Sequence, residues 1–237
     1  MTRLRTLALG LVVSLSVAAC AAAPGRAADA AHPTVVELFQ SQGCSSCPPA
    51  NANLLAVADR PDVLALSFGV TYWDNLGWKD TFARDQFTQR QWDYARGLGH
   101  RGVFTPQVVV DGRRDGVGAN PADFAGLIRN GARSQLGPQV SVAPAEVSIA
   151  ATTPPPKPAD VWLVRYDPRV EQVAIRRGEN AGRTLPHRNV VKQLTRLGAW
   201  TGAATRYPLP PAADPALKTA ILVQLPAGGP ILAAARG

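Results

Sequence analysis

Two cysteines, Cys44 and Cys47, sit in the stretch VVELFQSQGCSSCPPA, between an apolar β-branched run and a segment opened by two prolines. A run such as 34–40 reads as a strand. Prolines are tolerated in the first turn of a helix, so 48–58 reads as one, and the pair falls at a strand-to-helix turn. That junction constrains fold and chemistry together. The unpaired N–H groups and the dipole of a helix start favour a thiolate at the first cysteine, and the thiolate is the reactive form. The second cysteine, one turn on, can close a disulfide or resolve a mixed one. Cys44 is therefore expected to be the more exposed sulfur and Cys47 the buried one.

The chain has 237 residues, 46% hydrophobic and 18% charged, enough for one large or two ordinary domains with a buried core. Residues 1–31 read as an export signal and tether outside that core. Arg3 and Arg5 make a basic start, and 7–19 is an apolar run too short to span a bilayer comfortably. Val17-Ala18-Ala19-Cys20 resembles a bacterial lipobox, in which Cys20 would be lipidated after cleavage; ordinary cleavage within 21–31, discarding Cys20, is the alternative. Either way, Cys44 and Cys47 remain as a pair, and the expected location is the periplasm or cell envelope, where disulfides persist.

Formal net charge is +8, and eight Lys or Arg lie between Arg165 and Arg196. Such a stretch is either a solvated face or a surface for anionic lipid or polysaccharide. No aromatic-interleaved motif accompanies it, so no nucleic-acid partner is expected.

After the tether the pattern reads β-α-β-α-β-β-α. The strands are 34–40, 63–70, 107–111 and a short one around Val117; the helices are 48–58, 80–98 and one capped by Asn120 and begun by Pro121. This order resembles a minimal thioredoxin fold over 32–137. The resemblance implies a cis bond at Thr105-Pro106 near the cysteines, leaving the preceding backbone free to pair with a substrate chain. It also implies a buried acid near the resolving cysteine, for which Glu37 is the candidate, although thioredoxins use Asp there with one residue less to the first cysteine. From Gly137-Pro138 the texture changes to short alternating runs punctuated by Gly and Pro, which read as a β-sandwich over 138–237. A boundary within the proline run 154–158 is the alternative. The expected architecture is thus an α/β thioredoxin-like domain followed by an all-β sandwich-like domain.

The segments VVELFQSQGCSSCPPA, YWDNLGWKD, GVFTPQVVVDG and RGENAGRTLPHRNVV resemble the exported thioredoxin-like family catalogued as domain of unknown function 1223. The resemblance implies the fold and the cysteine pair, and brings no established substrate.

Seven of the fifteen aromatic residues lie between Tyr72 and Tyr94. Phe82, Phe87 and Tyr94 read as packing residues. Trp73, Asp74 and Trp78 follow the second strand's C-terminal end, where α/β folds place their sites, and are candidates for a rim that holds an extended peptide or a small thiol. Zinc wants four ligands, and His32, His100 and His187 are not at ligand spacing; copper held by the two cysteines and His100 is the sharper metal alternative. The chain reads as a thiol–disulfide oxidoreductase acting on exported protein thiols or small thiols. Cys44 and Cys47 would be catalytic with Glu37 assisting, Thr105 and Pro106 would align the partner, and no cofactor or resident metal is needed. The alternative is a non-enzymatic envelope scaffold carrying an inert disulfide. A bridge across so short a loop constrains the unfolded chain little, which favours the first reading.

Overall fold

The computed structural model describes residues 28–133 and 137–237. The proposed signal, Arg3, Arg5 and Cys20 lie outside the described residues. β1 (Thr34–Gln40) and β2 (Val63–Gly69) are parallel, in register from Thr34 opposite Val63, and every residue of both is buried. α1 (Cys47–Val57) makes the crossover, with prolines in its first turn. Its Ala50 and Leu54 lie against Val36 and Leu38. α2 (Asp85–Gly97) is shorter than the expected 80–98 helix. β3 (Gln107–Val110) runs antiparallel to β1, and β4 (Arg114–Gly116) forms the edge beyond it. α3 (Pro121–Gly131) is capped by Asn120, whose side chain accepts from the amides of Ala122 and Asp123.

The second half adds β5 (Val140–Val142), β6 (Glu146–Ile149), β7 (Ala159–Asp167), β8 (Glu171–Ala174), β9 (Thr184–His187), β10 (Val190–Trp200), β11 (Thr205–Pro208), β12 (Lys218–Gln224) and β13 (Ile231–Arg236). Four of these strands join the first half in one mixed sheet of order β13-β12-β7-β10-β2-β1-β3-β4. This overturns the expected thioredoxin-like domain followed by a separate β-sandwich. Strands on both sides of residue 138 share a single eight-stranded sheet. The cause lies at β2. A strand buried on both faces cannot leave its outer edge unpaired, since each buried unsatisfied amide or carbonyl costs about 1–3 kcal/mol. β10 supplies the partners: Val190 pairs with Ser67, Ser67 N donates to Asn189 O at 2.9 Å, and Asn189 Nδ2 donates to Ala65 O at 2.9 Å.

Strand alternation sorts the core. On one face Val35, Phe39, Leu66 and Phe68 join Val164, Val191, Leu222 and Ile231 around Phe87 and Tyr94 of α2. The other face is covered in two parts. α1 and α3 shield β1, β2 and β3, while β11, β6 and β5 form a three-stranded layer over β7, β12 and β13. The large sheet coils enough for its far ends to meet, Ile231 N donating to Asp111 O at 2.9 Å. The turn there needs Gly112: its φ is +62°, and a Cβ would lie 2.6 Å from Gly229 O.

Half of the basic stretch is paired with carboxylates of the chain itself, mostly at the surface. Arg169 pairs with Asp167, Arg188 with Asp59, Lys192 with Glu171 and Arg196 with Asp160. Arg165 is buried and donates to Thr219 Oγ1 and Pro210 O. Among the described residues, no helix is long and apolar enough to cross a membrane.

Candidate functional site

β1 ends at Gln40, and the chain turns through Ser41–Ser46 before α1 begins. Cys44 N bonds Ser41 O at 3.1 Å, and Cys47 N bonds Cys44 O at 3.2 Å. Ser46 is the N-cap and Cys47 the first helical residue, so Cys44 lies just ahead of the helix. The two cysteines form a disulfide with Cα atoms 5.5 Å apart. The expectation of an exposed Cys44 is corrected here: Cys44 is 0% and Cys47 1% exposed, while Ser45 and Ser46 between them face solvent.

Two hydroxyls meet the Cys44 sulfur. Thr105 Oγ1 lies 3.4 Å and Ser46 Oγ 3.2 Å from Cys44 Sγ. Thr105 is joined to the buried Pro106 by a cis peptide bond, so both residues lie where the sequence pattern puts them. Trp73 Nε1 donates to Thr105 Oγ1 at 2.7 Å. That bond occupies the oxygen as acceptor and leaves its own proton for the sulfur.

The remaining rim candidates are turned into the loop. Trp78 Nε1 donates to Gln42 Oε1 at 2.9 Å, and Asp74 Oδ1 accepts from Asp80 N at 3.0 Å. Asp80, missed in the sequence, is the hub of this brace. Its carboxyl accepts from the amides of Gln42 and Phe82, each at 2.7 Å. Burial pushes that carboxyl above the usual carboxylate range, against the pull of the two amides, and the nearby charge of Asp74 adds to the rise. Trp73, Asp74 and Trp78 are all half-buried.

The second half also reaches the cysteine loop. The loop between β8 and β9 sets Glu179 against Ser45: Oε2 accepts from Ser45 N at 3.1 Å and from Ser45 Oγ at 2.7 Å. Asn180 is fully buried, and its Nδ2 donates to Gln42 O at 2.9 Å and Cys44 O at 2.8 Å. Behind the first turn of α1, Gln40 Nε2 donates to Asn51 Oδ1 at 3.1 Å and Ser67 Oγ at 2.7 Å, and lies 3.4 Å from His187 Nδ1. His187 is 2% exposed, and among the described residues its Nε2 has no hydrogen-bond partner. Burial, with the charge of Lys192 second, lowers its pKa to about 4, so it is neutral near neutral pH. The signal that could have exposed these residues was the segment RGENAGRTLPHRNVV, whose chemistry-bearing positions had no local explanation.

Glu37 is not brought to the cysteines. Its neighbours in β1, Val36 and Leu38, face α1, whereas Glu37 faces α2 and bonds Arg90 Nε at 2.7 Å. Tyr94 also donates to it. The guanidinium of Arg90 lies over the rings of Tyr94, Trp162 and Phe68, 5.0 to 5.9 Å from their centres. The sheet thus separates Glu37 from α1, and the assisting role expected for it has no support in this geometry. His100, the copper candidate, pairs through Nε2 with Asp115 Oδ2 at 2.8 Å. Among the described residues, no three His, Cys, Asp or Glu side chains gather as a metal site.

A comparison with functionally curated proteins finds no match. The chain is similar to a crystal structure of protein AGR_C_4864 from Agrobacterium tumefaciens, with 31% identity and a TM-score of 0.71 over 89% of this chain and 95% of that one. It is also similar in fold to HBP35 of Porphyromonas gingivalis, at 14% identity and a TM-score of 0.57, covering 87% of this chain and 74% of that one. A family described as Protein of unknown function (DUF1223) matches residues 35–224, a span that holds the cysteines, the Thr105-Pro106 turn and the Glu179–Asn180 loop. The chain belongs to this DUF1223 family.

Proposed function

We propose that the Cys44–Cys47 pair is a thiol–disulfide exchange centre of the cell envelope. The observation that carries the reading is the pair of hydroxyls on Cys44 Sγ, with Trp73 fixing the orientation of one of them. A disulfide that only staples a loop gains little from such donors; a thiolate gains a charge-assisted hydrogen bond from each. In the exchange, a thiolate of a partner dithiol attacks Cys44 Sγ. The Cys44–Cys47 bond breaks, and Cys47 leaves with the electron pair as a thiolate. The partner's second thiolate then displaces Cys44, so the partner is oxidised by two electrons and the pair is reduced. The reverse sequence reduces a partner disulfide to its dithiol and restores the Cys44–Cys47 bond. Thr105 and Ser46 stabilise Cys44 whenever it carries charge.

The partners that fit are exported protein thiols or small thiols, and the first residues of the chain are the segment proposed to carry it to the envelope, with Cys20 as the proposed tether. Redox titration against glutathione buffers tests the reading, together with capture of a mixed disulfide through Cys44 by the Cys47→Ser protein in envelope extracts. A potential above roughly −300 mV, where structural disulfides give way to exchangeable ones, and a captured adduct are expected. A potential far below that mark with no adduct removes the reading. The burial of both sulfurs favours one other function, a scaffold with an inert bridge, and that outcome would establish it.

A further inference from the structure

A disulfide yields to a thiolate only along the line of its two sulfurs, so access decides the rate. Here both sulfurs are covered, and the cover is divided. One side is Thr105, fixed beside the buried Pro106 and the β3 strand. The other is the cysteine loop itself, where Ser46 Oγ meets Cys44 Sγ, and this loop is held in place by the tip of the β8–β9 hairpin, which is built differently. β8 and β9 pair only with each other, outside the eight-stranded sheet. Their stem is anchored by the buried Ile175, Leu185 and His187. Between those anchors most of the tip faces solvent, and it turns at Gly178 and Gly182, with φ of +78° and +80°. The tip is fastened to the cysteine loop by few bonds: two from Ser45 to Glu179, and two from Asn180 to the carbonyls of Gln42 and Cys44. Gly178 rests against the loop of Leu76 and Trp78.

We propose that this hairpin tip is a gate: Glu179 and Asn180 hold it shut over Cys44, and release of the Glu179 carboxylate from Ser45 precedes thiol attack. The proposal rests on the exchange reading above. A stem tied into the core and a tip held by two exposed bonds at Ser45 and two buried bonds from Asn180 is an arrangement that can open locally while the fold stays intact. The geometry also makes Ser45 a latch plate. It lies between the two cysteines, so freeing it loosens the turn that holds both sulfurs in place. The two Ser45 donors hold the Glu179 carboxyl below the usual carboxylate range, which keeps the latch ionised and closed near neutral pH.

The test uses the protein with Glu179→Ala, and a second variant, Asn180→Ala. Reduction by dithiothreitol and reoxidation by oxidised dithiothreitol are timed, and the equilibrium midpoint is measured in glutathione buffers. The Ser45 amide is followed by hydrogen exchange. Glu179 is on the surface, so its variant is expected to fold as the parent does. Reduction and reoxidation should both quicken, by about tenfold, the factor that one charge-assisted hydrogen bond is worth. The Ser45 amide should lose its protection. A residue that merely stabilised the oxidised form would shift the midpoint and raise only one rate. Unchanged rates in both variants, with a midpoint still in the exchangeable range, overturn the gate and leave the exchange reading standing. A pair that resists reduction at equilibrium in the parent and in both variants overturns the two together.

Discussion

Trp73 donates its indole N–H to Thr105 Oγ1 at 2.7 Å, and the same oxygen lies 3.4 Å from Cys44 Sγ. A hydroxyl has one proton, and an acceptor role already filled leaves that proton for the sulfur. Thr105→Val deletes the donor while keeping the shape. It should destabilise the reduced form and lower the reduction potential by about 20 mV, the equivalent of about 1 kcal/mol for a two-electron couple. Trp73→Phe should move it the same way by less. Equilibration with glutathione buffers measures both, and a rise in potential would contradict the assignment.

Glu37 and Arg90 predict the opposite division of effects. Both are buried, so Arg90→Met strands a carboxylate in the core and should cost about 3–5 kcal/mol in urea unfolding. Glu37→Gln should also destabilise the fold. Yet the sheet stands between Glu37 and α1, so the redox midpoint of the Glu37→Gln protein should match the parent. A shifted midpoint would restore Glu37 to the site.

His187 predicts a dependence on pH. Its pKa is about 4 in the fold against 6.5 for an ordinary histidine, so the unfolded chain binds the proton more tightly. The stability that follows is fully present above pH 6.5 and is lost as pH falls towards 4. At pH 4.5 the loss from this group should be roughly 2–3 kcal/mol. Urea midpoints of the parent and of His187→Phe at pH 7 and 4.5 isolate it from the carboxylates: the parent should lose more. Equal slopes would show that His187 is not the titrating group.

A chain ending at residue 137 tests the seam between β2 and β10. It retains every element of the expected first domain but leaves Ser67 N and Ala65 O without Asn189, and the face around Phe87 and Tyr94 without β7, β10 and β12. Such a fragment should show no cooperative unfolding by circular dichroism. A sharp transition would mean that the first half stands alone.

Local signals carried a good part of this structure. The cysteines at a strand-to-helix turn, the Asn120 cap, the Thr105-Pro106 turn and the first three strands could all be read from neighbouring residues. What escaped depends on contacts far apart in sequence. The run from Val190 to Trp200 does not alternate cleanly, with Val190 beside Val191 and Lys192 beside Gln193, so it carries no plain strand signal of its own, and nothing in it names β2 as its neighbour. Glu179 reads as a surface acid until the fold sets it on Ser45. Cys44 was expected in the open because a helix start in isolation is open. Glu37 was misplaced for a subtler reason: alternation along β1 fixes which residues share its face, but not which helix covers that face.

The hairpin's place in the chain sets an order of events during synthesis. Cys44 and Cys47 leave the ribosome early, whereas Glu179, the residue that latches Ser45, follows 134 residues after it. Until that length has emerged, the loop that carries the two thiols lacks the bonds from Glu179 and Asn180 that hold it, and an oxidant can join them more readily. Once the tip folds down, the bridge is sealed by residues that took no part in making it. The newborn protein and the mature one thus offer the same two sulfurs under different rules of access, and a pulse of alkylating reagent during translation should mark a cysteine that the finished protein conceals.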